Sequence, residues 1–109
     1  MTYDVLISGN VIKNLLGEES TSNAIRSNKI NACDWIISNN IINCDNARWQ
    51  EGIYFAGRRC TIANNIIKKV YTGIHVNSDS LVFNNVIYNS NKPIVFDGNN
   101  NITIKNIIV

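Results

Sequence analysis

Short runs of β-branched and other apolar residues alternate along the chain with clusters of Asn, Gly, Ser and Asp, and no helical period is sustained anywhere. Runs of this kind, bounded by turn-forming residues, predict β-strands. One phrase recurs with few changes, at Ser38–Ile42, Ala63–Ile67, Phe83–Ile87 and Ile104–Ile108. The pattern therefore predicts an all-β protein built from repeats.

One Asn occupies the same place in every repeat, at positions 10, 40, 65, 85 and 106, so the spacings are 30, 25, 20 and 21 residues. A second phrase keeps step with it as Gly52-Ile53, Gly73-Ile74 and Pro93-Ile94, with Ala24-Ile25 as an altered upstream copy. A repeat this short cannot bury its own apolar face, whereas stacked copies form a continuous core of parallel strands about 4.8 Å apart. We therefore predict a parallel β-helix.

The repeated Asn has a physical cause in such a fold. Asn tolerates the left-handed backbone conformation at a bend, and its side-chain amide can bond the amides above and below it. We expect these residues to form an Asn ladder, and we expect the columns three residues before and two after each later Asn to point inward. The members of these two columns are Ile37, Ile62, Val82, Thr103, Ile42, Ile67, Ile87 and Ile108.

The motif of Gly-Ile followed about a dozen residues later by Asn-Asn-x-Ile resembles the right-handed parallel β-helix repeat family. This pectate-lyase-like group includes polysaccharide lyases, some glycoside hydrolases, alginate epimerases and bacteriophage tailspikes. The resemblance extends from about Val5 to Val109. The resemblance implies a right-handed solenoid, and the five repeats predict about five rungs. Because the family's chemistry varies on one scaffold, the resemblance does not fix an activity.

The chain of 109 residues is long enough for one small domain, and we treat residues 1–109 as a single β-helix segment. Complete family members usually carry a capping helix and more rungs, whereas no cap is evident here. We expect the segment to be part of a larger protein or to assemble through its ends. The sequence leaves its location open; a virion tail or the cell exterior would fit.

The composition and net charge exclude some classes of protein and of binding partner. A net charge of +2 with 17% charged residues does not suit a disordered tail or a strongly cationic nucleic-acid binder. No stretch approaches the length of a membrane span, and the first residues lack the features of a signal peptide. The cysteines Cys33, Cys44 and Cys60 fit neither a disulfide framework nor a zinc site, so we expect buried free thiols and no metal or cofactor.

A candidate binding face follows from strand alternation. If Ile25, Ile53, Ile74 and Ile94 point inward, their successors Arg26, Tyr54, His75 and Val95 form one outward column, and the small predecessors Ala24, Gly52, Gly73 and Pro93 face the same way. Small residues beside large polar and aromatic ones suit an extended sugar chain. The alternative is an ordinary solvated face.

Candidate chemistry lies on the same face. We predict four substrate-binding residues: Arg26, Tyr54, Lys92 and Trp49. Trp49 lies on the long loop before Glu51. If the protein is a polysaccharide lyase or glycoside hydrolase, we predict the catalytic residues His75, Tyr54, Arg26 and Glu51. An elimination would use Tyr54 or His75 as base while Arg26 neutralises a uronate carboxylate. Glu51 and Asp97 are a poor hydrolytic pair, because Asp97 lies two rungs away beyond Phe96.

The sequence leaves two functions open. The first is recognition, with or without cleavage, of a bacterial surface polysaccharide, as in phage tailspikes. The second is a non-catalytic structural shaft or oligomerisation scaffold. For association we predict a side-by-side homotrimer through the residues that directly follow each repeated Asn, which strict alternation places outside: Val11, Ile41, Ile66, Val86 and Ile107.

Overall fold

The structure is a computed structural model that describes residues 4–13, 23–44 and 50–109. These residues form fourteen short strands and include no helix long and apolar enough to cross a membrane. The strands are β1 (Leu6–Ser8), β2 (Val11–Lys13), β3 (Asn23–Ser27), β4 (Ile36–Ser38), β5 (Ile41–Asn43), β6 (Glu51–Arg58), β7 (Thr61–Ala63), β8 (Ile66–Lys68), β9 (Thr72–Ser78), β10 (Leu81–Phe83), β11 (Val86–Tyr88), β12 (Lys92–Phe96), β13 (Ile102–Ile104) and β14 (Ile107–Ile108).

The strands form three parallel sheets, because each strand pairs with the strands three places before and after it. The first sheet has the order β1-β4-β7-β10-β13, the second β2-β5-β8-β11-β14, and the third β3-β6-β9-β12. Successive turns of the chain therefore lie directly over one another. This arrangement confirms the predicted parallel β-helix.

The predicted number of rungs was too high. Although the first two sheets hold five strands each and the third holds four, the solenoid has about three turns. The strands at the ends of each sheet have a neighbour on one side only. In each of the first two sheets, three strands have a neighbour on both sides.

The core is formed by the predicted inward columns. In the middle turns Ile37, Ile62 and Val82 of the first sheet and their counterparts in the second sheet are fully buried. Burying an isoleucine side chain contributes about 1.5–3 kcal/mol. Thr103 and Ile108, predicted in the same columns, are exposed because β13 and β14 are edge strands, and Ile108 is 50% exposed.

The Asn ladder runs along the bend between the first and second sheets, as predicted. At each step the side-chain Oδ1 of one Asn accepts two hydrogen bonds of 3.0 Å, from the backbone N–H and from the Nδ2 of the Asn one turn before. The second Nδ2 hydrogen donates to a backbone carbonyl, such as that of Ile37 for Asn65. Asn40, Asn65 and Asn85 are completely buried, and every polar atom of their side chains has its partners.

The left-handed residue at this bend is not the ladder Asn, which corrects one part of the prediction. It is the residue just before, with φ of 58° at Asn39, 59° at Asn64 and 55° at Asn84, and Gly9 and Lys105 take the same conformation in the outer turns. The doublet Asn-Asn therefore divides two tasks. The first Asn turns the chain, and the second Asn bonds the next turn.

A second bend precedes the first sheet and also uses left-handed residues, namely Asp4, Asp34, Arg59, Asp79 and Asn100. Arg59 forms a bidentate ion pair with Asp34. Its Nε lies 2.8 Å from Oδ1 and its Nη2 lies 3.2 Å from Oδ2. This hydrogen bonding lowers the pKa of Asp34 from its ordinary value. Asp79 pairs instead with Arg58, at 3.0 Å.

The three cysteines are free and buried, which agrees with the expectation for them. Burial raises the pKa of the Cys60 thiol well above its ordinary value. A buried neutral thiol packs as a small apolar group. These cysteines therefore belong to the core.

The predicted outward stripe keeps strict alternation through the second sheet. Val11, Ile41 and Ile107 are 60%, 39% and 58% exposed, and Ile66 and Val86 between them are half-buried. All five lie in register along the sheet. The bend after each ladder Asn does not turn these side chains inward.

Candidate functional site

The third sheet carries the predicted row of functional side chains on its outer face. Arg26, Tyr54, His75 and Val95 are direct register partners in the successive strands β3, β6, β9 and β12. Arg26 is exposed and the other three are half-buried. The inward partners Ile53 and Ile74 have no exposed surface, so the alternation that predicted this row is correct at these positions.

Gly52 and Gly73, which precede this row, do not face outward, contrary to prediction. A Cβ added at Gly52 would meet the backbone oxygen of Gly73 at 2.7 Å and the core methyl of Ile67 at 2.9 Å. A Cβ at Gly73 would likewise lie 3.1 Å from a methyl of Ile87. These glycines therefore point to the core, and two consecutive inward positions shift the alternation by one residue.

This shift determines where Glu51 lies. Strict alternation from Tyr54 would place Glu51 inside, whereas the phase change at Gly52 turns its carboxylate to the outer face. Asn23, its register partner in β3, donates a hydrogen bond of 3.0 Å from Nδ2 to Oε1 of Glu51. The carboxylate is thereby fixed one turn away from His75.

His75 joins two carboxylates. Its Nδ1 lies 2.7 Å from Oε2 of Glu51, in the turn before, and its Nε2 lies 2.6 Å from Oδ2 of Asp97, which follows β12 in the turn after. The side-chain exposures are 13% for Glu51, 21% for His75 and 53% for Asp97. We call these three residues the carboxylate–imidazole bridge.

Glu51 and Asp97, expected to be a poor hydrolytic pair, are the two ends of this bridge. They are two turns apart, as the sequence indicates, but His75 fills the turn between them and contacts both. Asp97 reaches the outer face because it is two residues after the outward Val95. Sequence reasoning could have found Asp97 by continuing the alternation past the end of the strand.

The protonation of the bridge is constrained by hydrogen-bond chemistry. An ionised carboxylate only accepts, and imidazole donates from both nitrogens only when it is protonated. The two short contacts therefore require either an imidazolium between two carboxylates or a neutral imidazole with one protonated carboxyl group. In either form one proton lies in each of the two contacts.

Tyr54 and Arg26 extend the site along the sheet. The rings of Tyr54 and His75 lie 4.9 Å apart at an interplanar angle of 56°, and the guanidinium carbon of Arg26 lies 5.9 Å from the centre of the Tyr54 ring. Among the described residues the Tyr54 hydroxyl has no hydrogen-bond partner. The result is a continuous strip of cation, aromatic ring and imidazole across three turns.

The other predicted binding residues are separated from this strip. Lys92 is exposed at the start of β12, three residues before Val95 of the row, and its ammonium lies 6.0 Å from the centre of the Tyr71 ring. Trp49 lies outside the described residues. Within the described ranges no group of His, Cys, Asp and Glu is arranged to hold a metal ion.

A separate cavity of about 310 Å³ lies beside the first sheet. Asp34 and Arg59 line it together with Asp4, Trp35, Ile36 and Thr61. The two best-placed charged groups are already bonded to each other, with Nε of Arg59 2.8 Å from Oδ1 of Asp34. The third-sheet face therefore offers the richer set of groups to a polar ligand.

Comparison with known proteins gives no match to this chain among family models, curated proteins or solved structures. The function is therefore inferred from the residues themselves.

Proposed function

We propose that the outer face of the third sheet binds an extended polysaccharide, such as a bacterial surface glycan. The observation that carries this proposal is the in-register row of Arg26, Tyr54 and His75 with two carboxylates bonded to its imidazole. Aromatic faces pack against the apolar faces of sugar rings, and carboxylates and guanidinium groups exchange hydrogen bonds with hydroxyl groups.

A long, regular ligand suits the regular spacing of this face. Successive turns place equivalent positions about 4.8 Å apart along the solenoid axis. A sugar chain lying parallel to that axis would meet Arg26, then Tyr54, then His75. Each contact comes from a different strand on a rigid scaffold, which keeps the entropic cost of ordering the site small.

Cleavage is a further step of the same proposal. Hydrolysis needs two carboxylates that flank the scissile bond. Glu51 and Asp97 are the pair on this face, but His75 occupies the space between them. An elimination fits the face more simply, with Tyr54 as base and Arg26 beside the uronate carboxylate, since both nitrogens of His75 are already engaged. We therefore rank binding first, then a lyase, then a glycoside hydrolase.

We also propose that the solenoid is right-handed and related to the pectate-lyase-like proteins. The parallel sheets and the Asn ladder support this relationship, and the proposed ligand agrees with the chemistry that such scaffolds carry. A relationship of fold alone would not establish the ligand.

The test is a glycan array together with a panel of capsular and uronate polysaccharides, read by binding, by absorbance of unsaturated products and by reducing ends. Tyr54→Ala should weaken binding about tenfold or more, which corresponds to about 1.4 kcal/mol. Tyr88→Ala is the matched control, because Tyr88 is also half-buried beside a cation, with Nζ of Lys68 5.4 Å from its ring centre, but lies on the second sheet. Equal losses in both variants, or no binding at all, would contradict the proposal.

A second candidate function is a structural shaft that trimerises side by side. The outward stripe of apolar residues on the second sheet favours this function. The first sheet adds the exposed residues Leu6, Ile36 and Ile102 in one register column. Replacing Ile66 and Val86 by Lys should convert an oligomer to monomers in sedimentation velocity. An unchanged mass with an unchanged circular dichroism spectrum would exclude this stripe as the interface.

A further inference from the structure

The carboxylate–imidazole bridge is asymmetric in its exposure to solvent. Glu51 is 13% exposed and is held by a second hydrogen bond from Asn23, whereas Asp97 is 53% exposed and bonds the bridge only through His75. The two ends therefore differ in what happens when a contact is lost. Water can replace the partner of Asp97, while Glu51 would be left poorly solvated.

The asymmetry decides which nitrogen keeps the proton when the imidazolium loses one. A neutral imidazole retains a single N–H, and the contact at the other nitrogen then brings two acceptors together. The N–H stays at Nδ1, where the half-buried Glu51 needs it. The lone pair at Nε2 then faces Asp97, whose exposed carboxylate turns away into water.

We propose that Asp97 is a sugar-contacting residue of the third-sheet face and that His75 controls its availability through this proton. With the bridge protonated, Asp97 is tied to Nε2; with the proton lost, Asp97 and Nε2 both become free acceptors for sugar hydroxyl groups. Binding should therefore be stronger after the bridge has lost its proton. This inference rests on the proposed function and adds a ligand residue and a regulation to the same site.

The other charged groups near His75 do not replace either partner. Tyr54 of β6 packs against the imidazole with its ring tilted, and Arg26 lies beyond Tyr54. From β12, the ammonium of Lys92 lies over Tyr71. At the far end of β9, Asp79 is paired with Arg58. Among the described residues, the groups within hydrogen-bond distance of the imidazole nitrogens are thus Glu51 and Asp97.

The bridge can be tested without a sugar. In protein labelled with ¹³C and ¹⁵N, the side-chain carboxyl carbon of Asp97 and the ring nitrogens of His75 are followed by NMR from pH 5 to 8, the range in which histidines generally change charge. Joint titration of Asp97 and His75, abolished in His75→Gln, is the expected result. An Asp97 signal that does not move while His75 titrates would overturn the inference.

The ligand role is tested with a polysaccharide identified by the panel. Asp97→Asn should bind at least tenfold more weakly at pH 8 and should lose the pH dependence, whereas Asp79→Asn, which removes the same charge from an ion pair elsewhere, should bind as the parent does. Binding that does not change with pH or in Asp97→Asn overturns the inference and leaves the proposed function intact. Absence of all binding overturns the proposed function and the ligand role of Asp97, while the NMR titration still decides on the bridge.

Discussion

The Asn ladder and the carboxylate–imidazole bridge both connect successive turns of this solenoid, and they differ in almost every respect. The Asn ladder repeats one neutral residue, is buried, and satisfies every donor and acceptor of its central side chains. The carboxylate–imidazole bridge joins three different ionisable residues and is open to solvent at Asp97.

The difference separates a repeated structural polar residue from the residues of the proposed binding face. A network that must hold every turn needs the same chemistry at every turn, and its cost of desolvation is met within the network itself. A network that meets a ligand needs groups that change partners. Its residues therefore occur once each, although they occupy columns of the same repeat.

The largest expected effect comes from breaking the ladder. Asn65→Ala removes Oδ1 from the two donors of Asn40 and leaves the carbonyl of Ile37 without its amide partner, all in the buried bend. Each unsatisfied buried group costs about 1–3 kcal/mol, so we expect the free energy of unfolding to fall by roughly 2–5 kcal/mol in urea titrations. Asn43→Ala, on the half-buried outer face of β5, is the control and should change it by less than about 0.5 kcal/mol. Similar losses in the two variants would mean that the buried hydrogen bonds of the ladder contribute no more than an outer side chain of β5.

An intermediate effect is expected at Gly52, the glycine at which the strand changes phase next to the bridge residue Glu51. Gly52→Ala would place a methyl group 2.7 Å from the backbone oxygen of Gly73, and the strand must shift to accept it. We expect a loss of about 1–3 kcal/mol in stability, together with a changed ¹⁵N signal of His75 as Glu51 moves. Ala24 occupies the same column one turn earlier. A negligible loss of stability in Gly52→Ala would therefore show that a methyl group fits at this position, as it does at Ala24. It would also show that glycine is not required for the change of alternation in β6.

The smallest effect concerns the exposed ion pair at the bend before the first sheet. Because Arg59 lowers the pKa of Asp34, the pair stabilises the fold above the ordinary pKa of an aspartate, and this contribution is lost as the pH falls through the lowered value. Arg59→Gln should therefore be slightly less stable than the parent at neutral pH and equal to it in strong acid. Added salt should reduce the difference, since the pair is exposed. A difference that persists in acid would assign the effect to the bend and not to the charge.

The fold was predictable from the repeat, since residues of the same type recur at equivalent positions in successive turns. Asn65 and Asn85 recur in one place, and a buried amide that bonds its own kind is the physical reason for such recurrence. The left-handed residue was misplaced by one position because an Asn-Asn doublet does not say which Asn turns the chain. The predicted number of rungs was too high because the sequence motif also recurs in the outer turns, whose strands lie at the edges of the sheets.

The site was less predictable because it lies where the repeat is broken. The row of Arg26, Tyr54 and His75 followed from alternation alone. The outward position of Glu51 depends on a phase shift at Gly52 that a glycine in sequence does not reveal. The contact of His75 with Asp97 depends on the conformations of two side chains on successive turns, and the register of the repeat does not determine these conformations.

Amide hydrogen exchange at the ladder residues is the most direct test that the turns are bonded as described. Asn40, Asn65 and Asn85 lie at bends, where amides ordinarily exchange quickly, yet each donates its backbone N–H to the Oδ1 of the next ladder residue at 3.0 Å. We predict that these three amides exchange as slowly as those of the buried strands, close to the limit set by global unfolding. Exchange at the rate of unprotected amides would contradict the stacking of these turns through the ladder.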